Sequence, residues 1–269
     1  MDAPPIITLL TDFGDRDTFV GQMCGAIVGI CPSATIIHLT HQIPPQHVLC
    51  GALHWVDAVE AFPPGTIHLG VIDPGVGSAR RAVAAEIGPW RFVAPDNGLL
   101  TAIRQRWPTR SAVELNRDEW HRPVRSATFH GRDVFAPVTA HWAHGVPLEE
   151  LGSPLAQPLV EIPLPVVTPL ESGVRGEILW ADRFGNLITS ISRGNVPADV
   201  PPHQFEVTTG PHRITGLSTC FADVPAGSLL VFWGSSGRLE LAVSCGSANE
   251  LPGVGRGVPV SLCWPAGVD

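Results

Sequence analysis

The sequence predicts an α/β fold. An N-terminal, mostly parallel sheet flanked by helices (α/β/α) is followed by a small C-terminal antiparallel β-barrel-like domain. Three observations carry this. Over roughly the first 150 residues, buried strand-like runs alternate with stripes of 3.6-residue period. Residues 153–175 then break the pattern, with five prolines between Pro154 and Pro169. Beyond them come short β-rich runs punctuated by Gly and Pro.

The elements follow in order. PIITLLTD (5–12) is a buried strand ending on Asp12. From Thr18, residues Phe19, Val20, Met23, Ala26, Ile27 and Ile30 share one helical stripe, which Pro32 closes. ATIIHLT (34–40) is a second strand. Pro45 then opens a helix with Val48, Ala52, Trp55, Val59 and Phe62 on one face. GTIHLGVID (65–73) is a third strand, 91–103 reads as strand, loop and helix, and 127–145 as a loop feeding a helix. Strands separated by helices require crossovers, hence parallel pairing. The domains expected are 1–160 (α/β), a linker over 161–175, and 176–269 (β).

Composition sets bounds. The chain has 269 residues, 44% of them hydrophobic and 16% charged, which is enough to build a core. A net charge of −8 disfavours nucleic acid as a partner. No apolar run reaches the length of a membrane span and Met1-Asp2 opens without a basic leader, so a cytoplasmic protein is expected. The six cysteines include no CxxC pair and suggest small buried hydrophobes. Tyrosine is absent.

In open α/β sheets ligands bind beyond the carboxyl ends of the strands. The polar residues expected there are Asp12, Asp73, Asp96, Asn97 and His130, with glycines 14, 75, 77, 98 and 131 nearby. Each has a plainer reading as a helix cap, turn residue or structural histidine. No phosphate loop, GxGxxG, GxSxG or HExxH motif occurs. His38, His41, His47 and His54 are close in sequence but straddle a strand end and a helix, which argues against a metal site. In GVIDPGVGSARR (70–81), a strand ends on a carboxylate and an arginine returns seven residues later, which no turn requires. Arg81 is expected to face solvent.

The ordered motifs TLLTDFGDRDTFVGQMCG, IDPGVGSARR, APDNGLLT, TFHGRDVFAPVTAHWAHG, DRFGNLITSI and SSGRLELAV resemble the S-adenosyl-L-methionine (SAM) hydroxide adenosyltransferase family, related to the fluorinase and chlorinase enzymes, over nearly the whole chain. The resemblance implies hydrolysis of SAM to adenosine and L-methionine by water or hydroxide at ribose C5′. It implies no metal or cofactor, and a homotrimer with sites at subunit interfaces and no nucleic-acid or membrane partner. The family's Asp, Arg and His fall on Asp73, Arg80 and His130. It further implies Asp12 on the ribose hydroxyls, Asp182 on the methionine ammonium, Asn186 on adenine and Phe221 stacked against it. Phe129 and Gly131 beside the histidine, and Ser235 and Ser236, complete the substrate contacts. The halogenating relatives have tyrosine where Asp73 stands. This chain departs from the fluorinase at Ser235-Ser236, where an arginine is missing, and from many family members at Ser244, where Asn is frequent. The alternatives are a SAM-dependent halogenase, a non-catalytic SAM or adenosine binder, and a metal-dependent hydrolase using Asp12, Asp96, His130 and Asp133.

Overall fold

A computed structural model describes residues 3–265; the Met1-Asp2 start lies outside the described residues, as do 266–269. The chain forms two compact units, Met1–Leu164 and Pro165–Asp269.

Unit 1 runs β1 (Ile6–Thr11), α1 (Phe19–Ile30), β2 (Thr35–Thr40), α2 (Val48–Ala58), β3 (Ile67–Val71), β4 (Ala82–Ile87), β5 (Trp90–Pro95), α3 (Thr101–Arg106) and β6 (Thr109–Glu114). A π-helical turn, Gly131–Phe135, then feeds α4 (Ala136–Ala143), α5 (Leu148–Leu151) and β7 (Ser153–Pro154). The seven-stranded sheet has the order β2-β1-β3-β5-β4-β6-β7. β2, β1, β3 and β5 pair in parallel. β4, β6 and β7 add antiparallel pairs. The antiparallel half starts from a β4–β5 hairpin that the periodicity did not reveal, closed where Gly88 turns at φ +55°.

The mostly apolar sequences of β1 and β3, broken only by buried Thr8 and His68 before the strand ends, follow from burial on both faces. Ile67, Leu69 and Val71 join Met23, Ile27, Phe135 and Trp142 in a core beneath α1 and α4. On the other face His68 stacks on Phe92 at 5.2 Å, and Phe92 meets Trp55 of α2. Gly70 leaves room there, since a Cβ would sit 2.7 Å from the Trp55 ring. α2 begins at Val48 instead of Pro45, because the His47 ring accepts the Cys50 N–H as its cap, after a left-handed Gln46.

Unit 2 is an antiparallel sheet of eight strands: β8 (Thr168–Leu170), β9 (Gly173–Ala181), β10 (Leu187–Ser192), β11 (Glu206–Thr209), β12 (His212–Thr215), β13 (Leu229–Trp233), β14 (Arg238–Val243) and β15 (Pro259–Cys263). Its path runs β12-β11-β15-β9-β10-β14-β13, with β8 added to β9. The ends approach one another, where the Ser218 N–H donates to Val231 O at 2.8 Å, so the sheet nearly closes around Ile178, Leu187, Val231, Leu241 and Val260. Within the stretch read as a linker, 168–170 is already a paired strand.

Candidate active site

The ends of β1, β3 and β5 lead into Asp12, Asp73 and Asp96. β3 is followed by Ile72 and then Asp73, whose side chain is 5% exposed. The turn after it is tightly made. Asp73 O accepts the Val76 N–H, Gly75 O accepts the Ser78 N–H and hydroxyl, and the Ser78 hydroxyl accepts the Arg80 N–H. Gly77 has φ +77°, and a Cβ there would lie 2.6 Å from Ala127 O. The missing side chain lets this turn dock on the loop that carries His130.

Arg80 comes back onto Asp73. Its Nε donates to Oδ1 at 2.9 Å and to Oδ2 at 3.1 Å, and its Nη2 donates to Oδ2 at 2.5 Å. Nη2 also reaches His130 Nδ1 at 2.9 Å. An arginine can only donate, so Nδ1 accepts and neutral His130 carries its proton on Nε2. Burial and the Arg80 charge hold the His130 pKa below 6.5, against a smaller opposing pull from Asp73. The guanidinium lies over the Phe135 ring, 5.1 Å from its centre.

Asp12 follows β1 and accepts the Gln46 N–H at 2.7 Å. Burial raises its pKa, the Gln46 bond lowers it, and the charge of Asp73 raises it further, so the two carboxylates feel each other. Beside them Phe13, Phe19 and Phe129 form an aromatic cluster with centroid distances of 5.1–6.1 Å. Gly131 lies against it: a Cβ would meet Met23 Sδ at 3.2 Å and Phe129 at 3.3 Å. Asp12, Asp73, Arg80, Phe129, His130 and Gly131 thus all belong to unit 1.

The other strand-end suspects are structural. Asn97 donates to Ile72 O at 2.8 Å and so holds the end of β3. Asp96 is bound on both oxygens: Arg81 Nε reaches Oδ2 at 2.8 Å, and the Val160 N–H reaches Oδ1 at 2.8 Å. Arg81 does not face solvent as expected; it also donates to the carbonyls of Gln157 and Pro158. Buried Asp96 demands a cation, a signal that needs the fold to be seen. Asp133 is fully buried. Burial opposes its ionisation, but Arg132, the Ser126 N–H and Arg122 outweigh that and bring its pKa down. Both carboxylates are thereby committed away from a metal. The four early histidines do not converge. His41 bridges Thr11 and His38, His47 caps α2, and His54 reaches Cys50 O. Among the described residues, no group of three or more His, Cys, Asp or Glu is placed to hold a metal ion.

Unit 2 holds a pocket of about 920 Å³ lined by Asp182, Phe184, Asn186, Phe221, Phe232 and Ser235 among others. Asp182 and Asn186 are locked together. Asp182 Oδ1 accepts the N–H groups of Phe184 and Asn186, and Oδ2 accepts the Asn186 amide at 2.8 Å. Gly185 at φ +83° makes the turn possible. With Nδ2 donating to Asp182, the Asn186 carbonyl oxygen is the end of the amide left for a ligand N–H. Phe221 is 44% exposed and stands 5.0 Å from Phe232. Buried Ser244 donates to Phe221 O and so holds the backbone at Phe221 in place. Ser236 is not among the residues lining the pocket.

An α/β unit with a carboxylate–guanidinium–imidazole set, followed by a β-barrel-like unit with an aromatic, carboxylate-bearing pocket, has the parts of an enzyme acting on a small, partly apolar ligand. The chain belongs to the SAM hydroxide adenosyltransferase family: the family's N-terminal domain model matches residues 7–152 and its C-terminal domain model matches 176–261. It is 40% identical to the (R)-S-adenosyl-L-methionine hydrolase of Thermus thermophilus, covering 95% of this chain and 98% of that one. The enzyme of the same name from Salinispora tropica is 41% identical over 96% and 97%. A fluorinase from Actinopolyspora mzabensis is more distant, 30% identical over 90% and 92%. The crystal structure of an uncharacterised conserved protein from Thermotoga maritima superposes with a TM-score of 0.88 at 34% identity, covering 96% of this chain and 99% of that one.

Proposed function

We propose that this protein hydrolyses S-adenosyl-L-methionine, in the (R) configuration at sulfur, to adenosine and L-methionine. The observation that carries the reading is the Asp73–Arg80–His130 set, held together by an ion pair and an imidazole contact. The Thermus and Salinispora relatives, whose names state this activity, are more similar to the chain than the fluorinase is. The chain has no tyrosine to stand where Asp73 does.

The substrate is a sulfonium, so its leaving group is a neutral thioether and needs no acid. What the reaction requires is an oxygen nucleophile in line with the C5′–S bond. Attack by hydroxide on a sulfonium annihilates charge, so a site poor in water favours it. Arg80 remains protonated and cannot act as base. His130, held with Nδ1 towards Arg80, presents Nε2–H to the water and stabilises the forming hydroxide. Asp73 retains acceptor capacity beyond the Arg80 contacts and takes the proton. Asp12 offers one oxygen to the ribose diol while Gln46 holds the other. In unit 2, Phe221 stacks on adenine, the Asn186 carbonyl reads its amino group, and Asp182 and Ser235 face the methionine end. No metal or cofactor takes part, the enzyme works as a homotrimer in the cytoplasm, and each site is completed by a neighbouring copy.

The deciding test is incubation of the full chain with separated (R)- and (S)-SAM in ¹⁸O water. Label in the adenosine 5′-hydroxyl, with faster turnover of the (R) form, is the expected result. Chloride-dependent 5′-chloro-5′-deoxyadenosine would turn the reading to a halogenase, and loss of turnover in EDTA would reinstate a metal. Mixing Asp73→Ala and Asn186→Ala subunits tests the assembly, since regained activity requires sites shared between copies.

A further inference from the structure

Asp12, the carboxylate proposed for the ribose hydroxyls, is held by the segment that follows β2. The Gln46 N–H donates to Asp12 Oδ2 at 2.7 Å. The His41 carbonyl accepts the Gly14 N–H at 2.8 Å. The His41 ring meets the Thr11 hydroxyl, Nδ1 to Oγ1, at 2.8 Å. Thr11 is fully buried, and its Oγ1 also accepts the Phe13 N–H at 3.3 Å. The residues on both sides of Asp12 are therefore pinned, as is one of its oxygens. Packing does not do this alone. Gly14 turns at φ +67°, and a Cβ there would meet nothing within 4 Å.

The His41 ring is itself held. Its Nε2 lies 2.7 Å from Nδ1 of the exposed His38, and one of these two nitrogens must carry the proton. With the proton on His38, His41 Nδ1–H donates to Thr11. With it on His41, the Thr11 hydroxyl donates to a bare Nδ1. Either way the chain from His38 through His41 to Thr11 is unbroken. Burial and the neighbouring His38 bring the His41 pKa down to about 4, against a smaller opposing pull from Asp15, so the ring is neutral at neutral pH. The end of β1 does not need such a chain to stay in the sheet, because β1 already lies between β2 and β3.

From this geometry, and resting on the hydrolase reading in which Asp12 takes the ribose diol, we infer that His41 is a positioning residue for ribose recognition. Its ring, steadied by His38, fixes Thr11 and through it the backbone at Asp12. Oδ1 is then presented to the diol in one place while Gln46 holds Oδ2. A carboxylate fixed before the ligand arrives loses less conformational freedom on binding, so it separates a diol from its absence more sharply. His41 acts through Thr11 and Asp12 and takes no part in breaking the C5′–S bond.

The test compares SAM with its analogue lacking both ribose hydroxyls. In the wild type, kcat/KM should favour SAM about 10²-fold, the amount expected of hydroxyls donating to a carboxylate. Thr11→Val and His41→Gln, which both lose the Thr11–His41 bond, should raise KM for SAM about tenfold with kcat nearly unchanged, and cut the preference to about tenfold. His41→Asn, whose amide can take the place of Nδ1, and Thr11→Ser should restore most of it. His38→Ala, at the exposed end of the chain, should lower it about threefold and serves if the buried variants do not fold. A merely structural role would slow both compounds alike and leave the preference at its wild-type value; that result in the folded variants overturns the proposal and leaves the hydrolase reading standing. A wild type that handles both compounds equally removes Asp12 from the ribose, and the proposal with it. If the wild type releases no adenosine, the hydrolase reading falls instead, and the same preference is read by calorimetry from the affinities for adenosine and 2′,3′-dideoxyadenosine.

Discussion

The two units hold their functional groups in opposite ways. In unit 1 the groups proposed to react are bound to one another: Asp73 is closed by Arg80, and neutral His130 leans on the same guanidinium. In unit 2 an exposed aromatic ring, a turn-locked Asp–Asn pair and a serine line a roomier pocket. Rigid charge pairing suits a set that must present fixed donors and acceptors to a transition state. An open, partly apolar pocket suits recognition of a large ligand. On the proposed reading this is a separation of labour, with bond-breaking in unit 1 and most of the recognition in unit 2.

That separation can be broken by kinetics. The largest effect is expected in unit 1. Asp73→Ala or Arg80→Ala should lower kcat about 10³-fold with little change in SAM affinity by calorimetry, since general-base and electrostatic contributions are of that order. Equal loss of binding and turnover would erase the distinction. For His130, the Nε2–H assignment predicts that His130→Gln, which retains an amide donor, keeps far more activity than His130→Ala. Equal loss would make the imidazole a base. In unit 2, Phe221→Ala should raise KM about tenfold and leave kcat nearly intact, the amount expected from one lost stacking contact.

A smaller effect concerns pH. The folded-state pKa of His130 lies below 6.5, so it stays neutral through neutral pH, and protonation there would set imidazolium against Arg80. The acid limb of kcat/KM should therefore fall below pH 6.5, and His130→Gln should shift that limb. The core has its own dependence. Burial brings His68 down to about 3 from an ordinary 6.5. The unfolded chain then binds the extra proton first as pH drops, so stability is full above 6.5 and is lost as pH falls through this window. Thermal unfolding followed from pH 7 to pH 4 should show the fall, and His68→Phe should flatten it.

Much of this was legible in the sequence because it is local. The mostly apolar runs of β1 and β3, each with one buried polar residue inside it, and the amphipathic stripe of α1 announce buried strands and a covering helix. The spacing from Asp73 to Arg80 spans one turn, so their pairing can be suspected from the motif. The β4–β5 hairpin escaped although β5 reads as a strand, because its partner β4 is buried and alanine-rich, which weakens any period. Arg81 escaped for a different reason: its partners lie 15 residues away at Asp96 and more than 70 away at Gln157 and Pro158. Gln46 meets Asp12 through its backbone N–H, which a single sequence does not display.

The Arg81 clasp also says where unit 1 can be cut. The family's N-terminal domain model stops at residue 152, yet Asp96 takes a hydrogen bond from the Val160 N–H, Arg81 gives two to 157 and 158, and Ile162 covers Gly98. A fragment ending at 152 would leave a guanidinium and a carboxylate half-solvated, and would open the loop of Asn97, whose amide holds the end of the strand before Asp73. A fragment ending at 164 keeps all of these. The dozen residues after the last helix are part of the scaffold, and expression of the isolated unit should tell the two endpoints apart by solubility and melting temperature.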